Sequence, residues 1–137
     1  MLSIGLLALA VGAYAAVDWA QDYKSASARA AKEKKLLMVD LYADWCGPCR
    51  MLDKTTFSNA DVQAALSRDF IAVKVNIESI DGNGNGELAK IKRDTRAIPH
   101  IVFYDSGGNK LSDLVGYYPP DRFLDELRMV TKQAAKK

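Results

Sequence analysis

Leu36-Leu37-Met38-Val39-Asp40-Leu41-Tyr42-Ala43-Asp44-Trp45-Cys46-Gly47-Pro48-Cys49 joins an apolar run to a pair of thiols. Leu36 to Tyr42 is apolar at nearly every position, which predicts a central strand, with Asp40 as the exception. The residues beyond Cys49 have helical spacing, so Cys46 and Cys49 fall at a strand-to-helix junction. Such a junction favours reactive sulfur. These are the two cysteines of the 137-residue chain, and at this spacing they can close on each other.

A composition of 49% hydrophobic and 26% charged residues is that of one ordinary globular domain with a real core. The net charge of +2 is too small to point to nucleic acid or an anionic membrane surface, so neither is expected as a partner. With His100 as the single histidine beside two cysteines, the chain cannot assemble a four-coordinate zinc site without recruiting carboxylates or a second subunit. Covalent haem attachment needs a histidine directly after Cys49, and Arg50 stands there.

Met1 to Val17 carries no charged side chain and includes the small-residue pattern Ala13-Tyr14-Ala15. The stretch fits an export signal cleaved after Ala15, an uncleaved membrane anchor, or a buried structural helix; no Lys or Arg precedes it, and its length is at the lower limit for a span. Residues 18–137 then form the folded domain. Asp18 to Lys35 reads as an amphipathic helix capped by Asp18, with Trp19 and Tyr23 packed on a sheet. A helix continues from Cys49 through Lys54, and another runs from Asn59, its cap, to Ser67, with Phe57, Val62, Ala65 and Leu66 in the core.

Phe70 to Ile77 is rich in β-branched residues and reads as a second buried strand, carrying Lys74 where the first carries Asp40. Asp81-Gly82-Asn83-Gly84-Asn85-Gly86 has the Asp/Asn alternation of an EF-hand loop, but the twelfth position is Lys92 instead of a bidentate glutamate, so it reads as a surface loop. Glu87 to Arg93 is a short helix. Ile98-Pro99 opens a strand through Tyr104, at a point where a cis peptide is possible. A turn at Ser106–Asn109 leads to a partner strand, Lys110 to Val115. Gly116 breaks it, and a final helix opened by Pro119-Pro120-Asp121 places Phe123, Leu124, Leu127 and Val130 on one face. The order suggests an α/β sheet with a βαβ unit and a terminal hairpin.

Val39 to Arg50, together with Ile98-Pro99, closely resembles the active-site segments of the thioredoxin family, and from Leu36 to Val130 the order of elements is similar too. The Ala-Asp-Trp-Cys segment and the leading helix look most like exported thioredoxin-like reductases such as the soluble domain of DsbD. The resemblance implies a thioredoxin fold, a central mixed β-sheet flanked by helices on both faces. It also implies an exported or periplasmic, monomeric protein-disulfide reductase, soluble or tethered through residues 1–17, with a disulfide oxidase or isomerase of the same fold, or a non-catalytic binding or assembly module, as the alternatives.

In that family Cys46 corresponds to the nucleophile and Cys49 to the resolving thiol. Thioredoxin itself, the general example of this chemistry, has a thiol pKa of about 7 and a potential of about −270 mV against about −120 mV for the oxidant DsbA. Gly47-Pro48 favours the reducing side by this likeness. Asp40 matches a buried aspartate held to relay the resolving thiol's proton and Lys74 its companion; a purely structural ion pair is the alternative. Trp45, Gly47, Pro48, Ile98, Pro99 and Gly116 correspond to the substrate groove. His100 replaces a usual threonine, and it either approaches the thiolate or serves the strand. A structural disulfide is disfavoured, since so short a loop restricts chain entropy by only about 2 kcal/mol. No bound cofactor is implied beyond the Cys46–Cys49 pair. The implied partners are disulfide-bonded proteins and an upstream thiol donor, with a membrane reductant transporter as a candidate.

Overall fold

The computed structural model describes residues 16–136. The apolar Met1 to Val17 stretch read as a signal or anchor lies almost wholly outside the described residues, as does Lys137. Strand β1 (Leu36–Tyr42) pairs in parallel with β2 (Phe70–Asn76) and antiparallel with β3 (His100–Tyr104), which pairs antiparallel with β4 (Lys110–Val115). The sheet order is therefore β2-β1-β3-β4, mixed, with the strand that leads to the cysteines in its interior. Both β1 boundaries agree with the sequence reading.

Side chains alternate across a strand, so β1 feeds two cores. Leu37, Val39 and Leu41 pack with Val102 and Tyr104 under helix α1 (Tyr23–Glu33), which contributes Ala26 and Ala30, and beneath Ile91 of α4 (Glu87–Asp94). Met38 faces the other way and packs with Ile101 and Phe103, with Val62 and Leu66 of α3 (Ala60–Asp69), and with Phe123, Leu127 and Val130 of α5 (Pro120–Ala135). Phe123 stands edge-on to Phe57 at 5.7 Å between centroids, a favoured geometry for aromatic pairs. Asn59 caps α3 by accepting the N–H groups of Asp61 and Val62. Ala65, expected in the core, is only half-buried at its edge.

The N-terminal segment departs from the expected helix. Asp22, not Asp18, is the cap: its carboxylate accepts the Ser25 N–H at 2.8 Å, and the Ser25 hydroxyl faces back, forming a capping box that fixes the helix start at Tyr23. Residues before it are extended. Trp19 bridges Ala72 in parallel, and the Ala20 N–H donates to the Ala72 carbonyl at 2.8 Å, so this short segment lies along the outer edge of β2. The result separates two aromatics that a continuous helix would keep near each other. Trp19 stacks edge-on with Phe57 in one core, whereas Tyr23 packs against the other.

The helix after Cys46 also differs from an ordinary α-helix. Helix α2 (Gly47–Met51) passes into a π-helical turn (Leu52–Thr56) in which the Phe57 N–H reaches the Leu52 carbonyl at 2.9 Å. A π turn holds one extra residue and redirects the chain beyond it. Hydroxyls help to define it: Thr55 Oγ1 donates to the Met51 carbonyl, and Thr56 Oγ1 donates to the Tyr118 carbonyl at 2.6 Å. Thr55 Oγ1 also lies 2.8 Å from the Tyr117 hydroxyl, fastening the turn to the segment after β4.

The 81–86 loop is held by cations of the chain itself. Arg93 donates to the carbonyls of Gly82 and Gly84, at 2.8 and 3.0 Å, and Lys92 donates to that of Ile80. Among the described residues no three metal-ligating side chains come together.

Candidate active site

The chain leaves β1 at Tyr42, turns through a Cys46 N–H bond to the Ala43 carbonyl at 3.1 Å, and starts α2 with Cys46 as its N-cap. The four first N–H groups of a helix lack intrahelical acceptors, so a sulfur placed there meets donors and the positive end of the helix dipole. Here the Cys49 N–H donates to Cys46 Sγ at 3.2 Å. Pro48 costs nothing at this position, since its missing N–H belongs to the unpaired first turn. Cys46 and Cys49 are bonded to each other across a Cα separation of 5.3 Å. Both are nearly buried, and they pack with Ala43, Tyr42, Ile77 and Ile98.

The groove residues gather around this pair to different degrees. Ile98 touches its cluster, and the Ile98–Pro99 bond is cis. The Pro99 carbonyl accepts the Gly116 N–H at 2.8 Å, so the start of β3 and the end of β4 are locked side by side. Gly116 has φ +91°, a left-handed conformation that a side chain disfavours. No atom lies within 4 Å of a Cβ built there, so Gly116→Ala is expected to cost about 1–2 kcal/mol through backbone strain alone, read as a lower denaturation midpoint at unchanged m-value. Trp45 is 66% exposed and its indole N–H donates to Glu78 Oε1 at 2.7 Å, which holds an apolar face up to solvent beside Cys46. Gly47 and Pro48 are exposed next to it.

Asp40 and Lys74 come together as adjacent-strand partners. Lys74 Nζ lies 3.0 Å from Asp40 Oδ2 and also bonds Asp53 Oδ1 of the π turn. The pair therefore lies on the sheet face covered by the helix that carries Cys49. Three rings surround the ammonium, with centroids of Trp19 and Tyr42 at 5.0 Å and Phe57 at 5.4 Å. Such faces attract a cation that has lost water. The other carboxylate oxygen, Asp40 Oδ1, is buried with no hydrogen-bond partner among the described residues. Burial pushes the Asp40 carboxyl up, and the Lys74 charge opposes this without reversing it. Burial pulls Lys74 down, but the charges and hydrogen bonds of Asp40 and Asp53 together hold it above its ordinary value.

His100 stands apart from these groups. It aligns with Leu41 across the sheet, whereas Asp40 aligns with Ile101, so alternation places its ring on the face opposite Asp40 and Lys74. Its ring nitrogens meet Thr95 Oγ1 at 2.8 Å and Asp113 Oδ2 at 2.7 Å. Neither partner was evident from the sequence, and nor were Glu78 or the threonine–tyrosine contacts, because all depend on tertiary placement. Asp53 left a faint signal: it lies one turn after Cys49 in a stretch read as helical.

A strand-ended dithiol at a helix N-terminus, a cis-proline edge beside it and a buried acid on the adjoining sheet face define a thioredoxin-fold thiol–disulfide exchange centre. The sequence profile described as Thioredoxin-like matches residues 18–106, and the chain belongs to that family. Among curated proteins it is similar to the thiol:disulfide interchange protein DsbD of Colwellia psychrerythraea, 39% identical over 84 residues, which make up 61% of this chain and 14% of the relative. DsbD of Tatumella citrea is 33% identical over 69% of this chain and 16% of its own length. The chain thus spans about one seventh of the length of these relatives. Among solved structures, a thioredoxin from Thermus thermophilus superposes with a TM-score of 0.74 at 25% identity, covering 88% of this chain and 91% of that one. The reduced C-terminal domain of Neisseria meningitidis DsbD does so at 0.59 and 25% identity, covering 77% and 91%. The protein is a thioredoxin-like domain, similar to part of DsbD, whose Cys46 and Cys49 form a bonded pair at the two-residue spacing that disulfide exchange uses.

Proposed function

We propose that the domain reduces protein disulfides, with Cys46 attacking and Cys49 resolving. The observation that carries the order of attack is the Cys49 N–H donated to Cys46 Sγ at the helix N-terminus, which stabilises negative charge on that sulfur before any other. In the dithiol form the Cys46 thiolate attacks one sulfur of a substrate disulfide; that S–S bond breaks, and the departing substrate thiolate takes a proton. Cys49 then loses its proton, attacks Cys46 Sγ and expels the second substrate thiolate. Two electrons pass to the substrate, and the protein is left with the Cys46–Cys49 bond seen in the structure.

Asp40 is the acceptor for the Cys49 proton. Its Oδ1 is buried with no hydrogen-bond partner among the described residues, and a carboxyl raised by burial accepts a proton near neutrality more readily than an exposed one. Lys74 keeps the carboxylate form tolerable between transfers and connects it to Asp53, an acid open to solvent. Ile98, ahead of the cis-proline Pro99, offers its backbone to an extended substrate strand, with Trp45, Gly47, Pro48, Pro99 and Gly116 lining its path. The Cys46–Cys49 pair works without a further bound cofactor.

Regeneration needs an external dithiol donor. The DsbD relatives support a membrane reductant transporter in that place, and the uncharged Met1 to Val17 stretch supports an exported domain, cleaved or tethered. Among the described residues no helix is long and apolar enough to cross a membrane. A redox titration of the pair against glutathione tests the direction of flow. A reductase is expected near the thioredoxin value of about −270 mV, and a result near about −120 mV assigns the domain to oxidation instead.

A further inference from the structure

We propose that His100 is a positioning residue, held with a hydrogen on both ring nitrogens between Thr95 and Asp113, and that this charged ring fixes the docking edge at Pro99. The proposal rests on the reading of Ile98 and Pro99 as the substrate edge.

Hydrogen placement follows from three short contacts. Thr95 Oγ1 lies 2.7 Å from the Ile91 carbonyl oxygen and 2.8 Å from His100 Nδ1. A carbonyl has no hydrogen to give, so the hydroxyl donates its single hydrogen to Ile91. Turned the other way, two oxygen lone pairs would face each other at hydrogen-bond distance. The hydroxyl therefore presents a lone pair to Nδ1, and Nδ1 must carry a hydrogen. On the other side, Asp113 Oδ2 lies 2.7 Å from Nε2 while Lys110 Nζ holds Oδ1 at 3.1 Å. Burial pushes the Asp113 carboxyl up, but hydrogen bonds from His100 and Lys110 outweigh it and keep the group below its ordinary value. It is an acceptor only, so Nε2 also carries a hydrogen. The ring is an imidazolium in a pocket where His100 is 4% exposed.

The other ionisable groups toward this face do not compete for the ring. Asp113 and Lys110 come from β4, and Tyr104 of β3 donates its hydroxyl to Glu87 of α4, with Tyr23 of α1 nearby. The central strand β1 contributes the apolar Val39 and Leu41. Asp113 is therefore the carboxylate that balances the imidazolium.

One ring thus joins the C-cap of α4 to β4 across the first residue of β3, directly after Pro99. His100 also aligns with Leu41 and Val115, and the Pro99 carbonyl holds Gly116. Removing either ring hydrogen sets a lone pair against a lone pair on that side. The contact must then open, freeing residues 98–100 relative to 115–117. The hydrogen bonds of His100 go to Thr95 and Asp113, and the Cys46–Cys49 bond and the Cys49 N–H on Cys46 Sγ belong to the turn after β1, so substrate capture changes more than the thiol chemistry, although Ile98 of the freed segment packs beside the thiols.

The test has a spectroscopic and a kinetic arm, both on the intact domain. Nitrogen-15 shifts of the His100 ring are expected to show both nitrogens protonated at pH about 6; one bare nitrogen there overturns the proposal. With insulin as the disulfide substrate, His100→Gln and Asp113→Asn are expected to raise KM about fivefold or more, with kcat and the redox equilibrium constant of the pair against glutathione within about twofold of wild type. Thr95→Val should act in the same direction, and Thr95→Ser, which keeps the oxygen, should restore the wild-type KM. Should His100→Gln fail to fold, the two Thr95 variants decide. An unchanged KM in Asp113→Asn and Thr95→Val overturns this proposal alone. No insulin reduction by the wild type overturns the reductase reading and this proposal with it.

Discussion

Replacing Cys49 by serine leaves the protein covalently joined to its substrates through Cys46, and turnover falls by about three orders of magnitude or more, as expected when one member of a two-step catalytic pair is lost. On the proposed order, attack and resolution use different sulfurs. Cys46 remains at the N-cap of α2 and still forms the mixed disulfide, but no thiol remains inside the helix to expel it. Cys46→Ser should lose turnover to the same extent and trap nothing. Non-reducing electrophoresis followed by mass spectrometry of the conjugates reads both outcomes. Conjugates formed by Cys46→Ser and absent from Cys49→Ser would reverse the assigned order.

Asp40→Asn is expected to slow resolution of the mixed disulfide by about a hundredfold, the usual scale for loss of a general base, while making the domain more stable at neutral pH. The two effects have one source. Burial disfavours the Asp40 carboxylate more than Lys74 favours it, so the folded state binds a proton at Asp40 more tightly than the unfolded chain does. Wild-type stability therefore falls as pH rises from the ordinary carboxylate range through the raised value, a loss that asparagine does not suffer. The variant's advantage should be absent at pH about 3 and complete above the raised value. Lys74 is not stranded by the change, because Asp53 and three aromatic faces remain around it. Thermal melts across pH check the stability, and stopped-flow measurement of mixed-disulfide decay checks the rate. Equal decay rates in the two proteins would remove Asp40 from the proton path and leave it a structural ion.

The sequence made legible whatever depended on local pattern. An unbroken apolar run placed β1 with its correct ends, an asparagine placed the start of α3, and a proline before a β-rich run placed the cis bond and β3. The pattern showed one charge of each sign in two buried strands, the resemblance to thioredoxins implied that Asp40 and Lys74 belong together, and the register makes the contact direct. Two failures were competitions between local signals and distant ones. Asp18 and Asp22 can each cap a helix, and Asp22 wins because Ser25 stands three residues on and Trp19 gains more by packing on Phe57. The π turn could not be read, because its extra residue is stabilised by hydroxyl contacts to Tyr117 and Tyr118, some sixty residues away. His100 belongs to the same kind: its neighbours in sequence say nothing of Asp113, which reaches it only after the hairpin closes.

The extended piece around Trp19 also sets a direction of leverage. It lies parallel to β2, so moving back toward Ala16 means moving toward the beginning of that strand, where Ala16 and Val17 line a cleft with Phe70 and Ile71. The thiols lie beyond the far end of β1, which runs parallel to β2 over seven residues, or about 20 Å of strand. A load attached ahead of Ala16 therefore pulls on the sheet at its blunt end, with Trp19 as the rivet and Cys46 at the opposite pole.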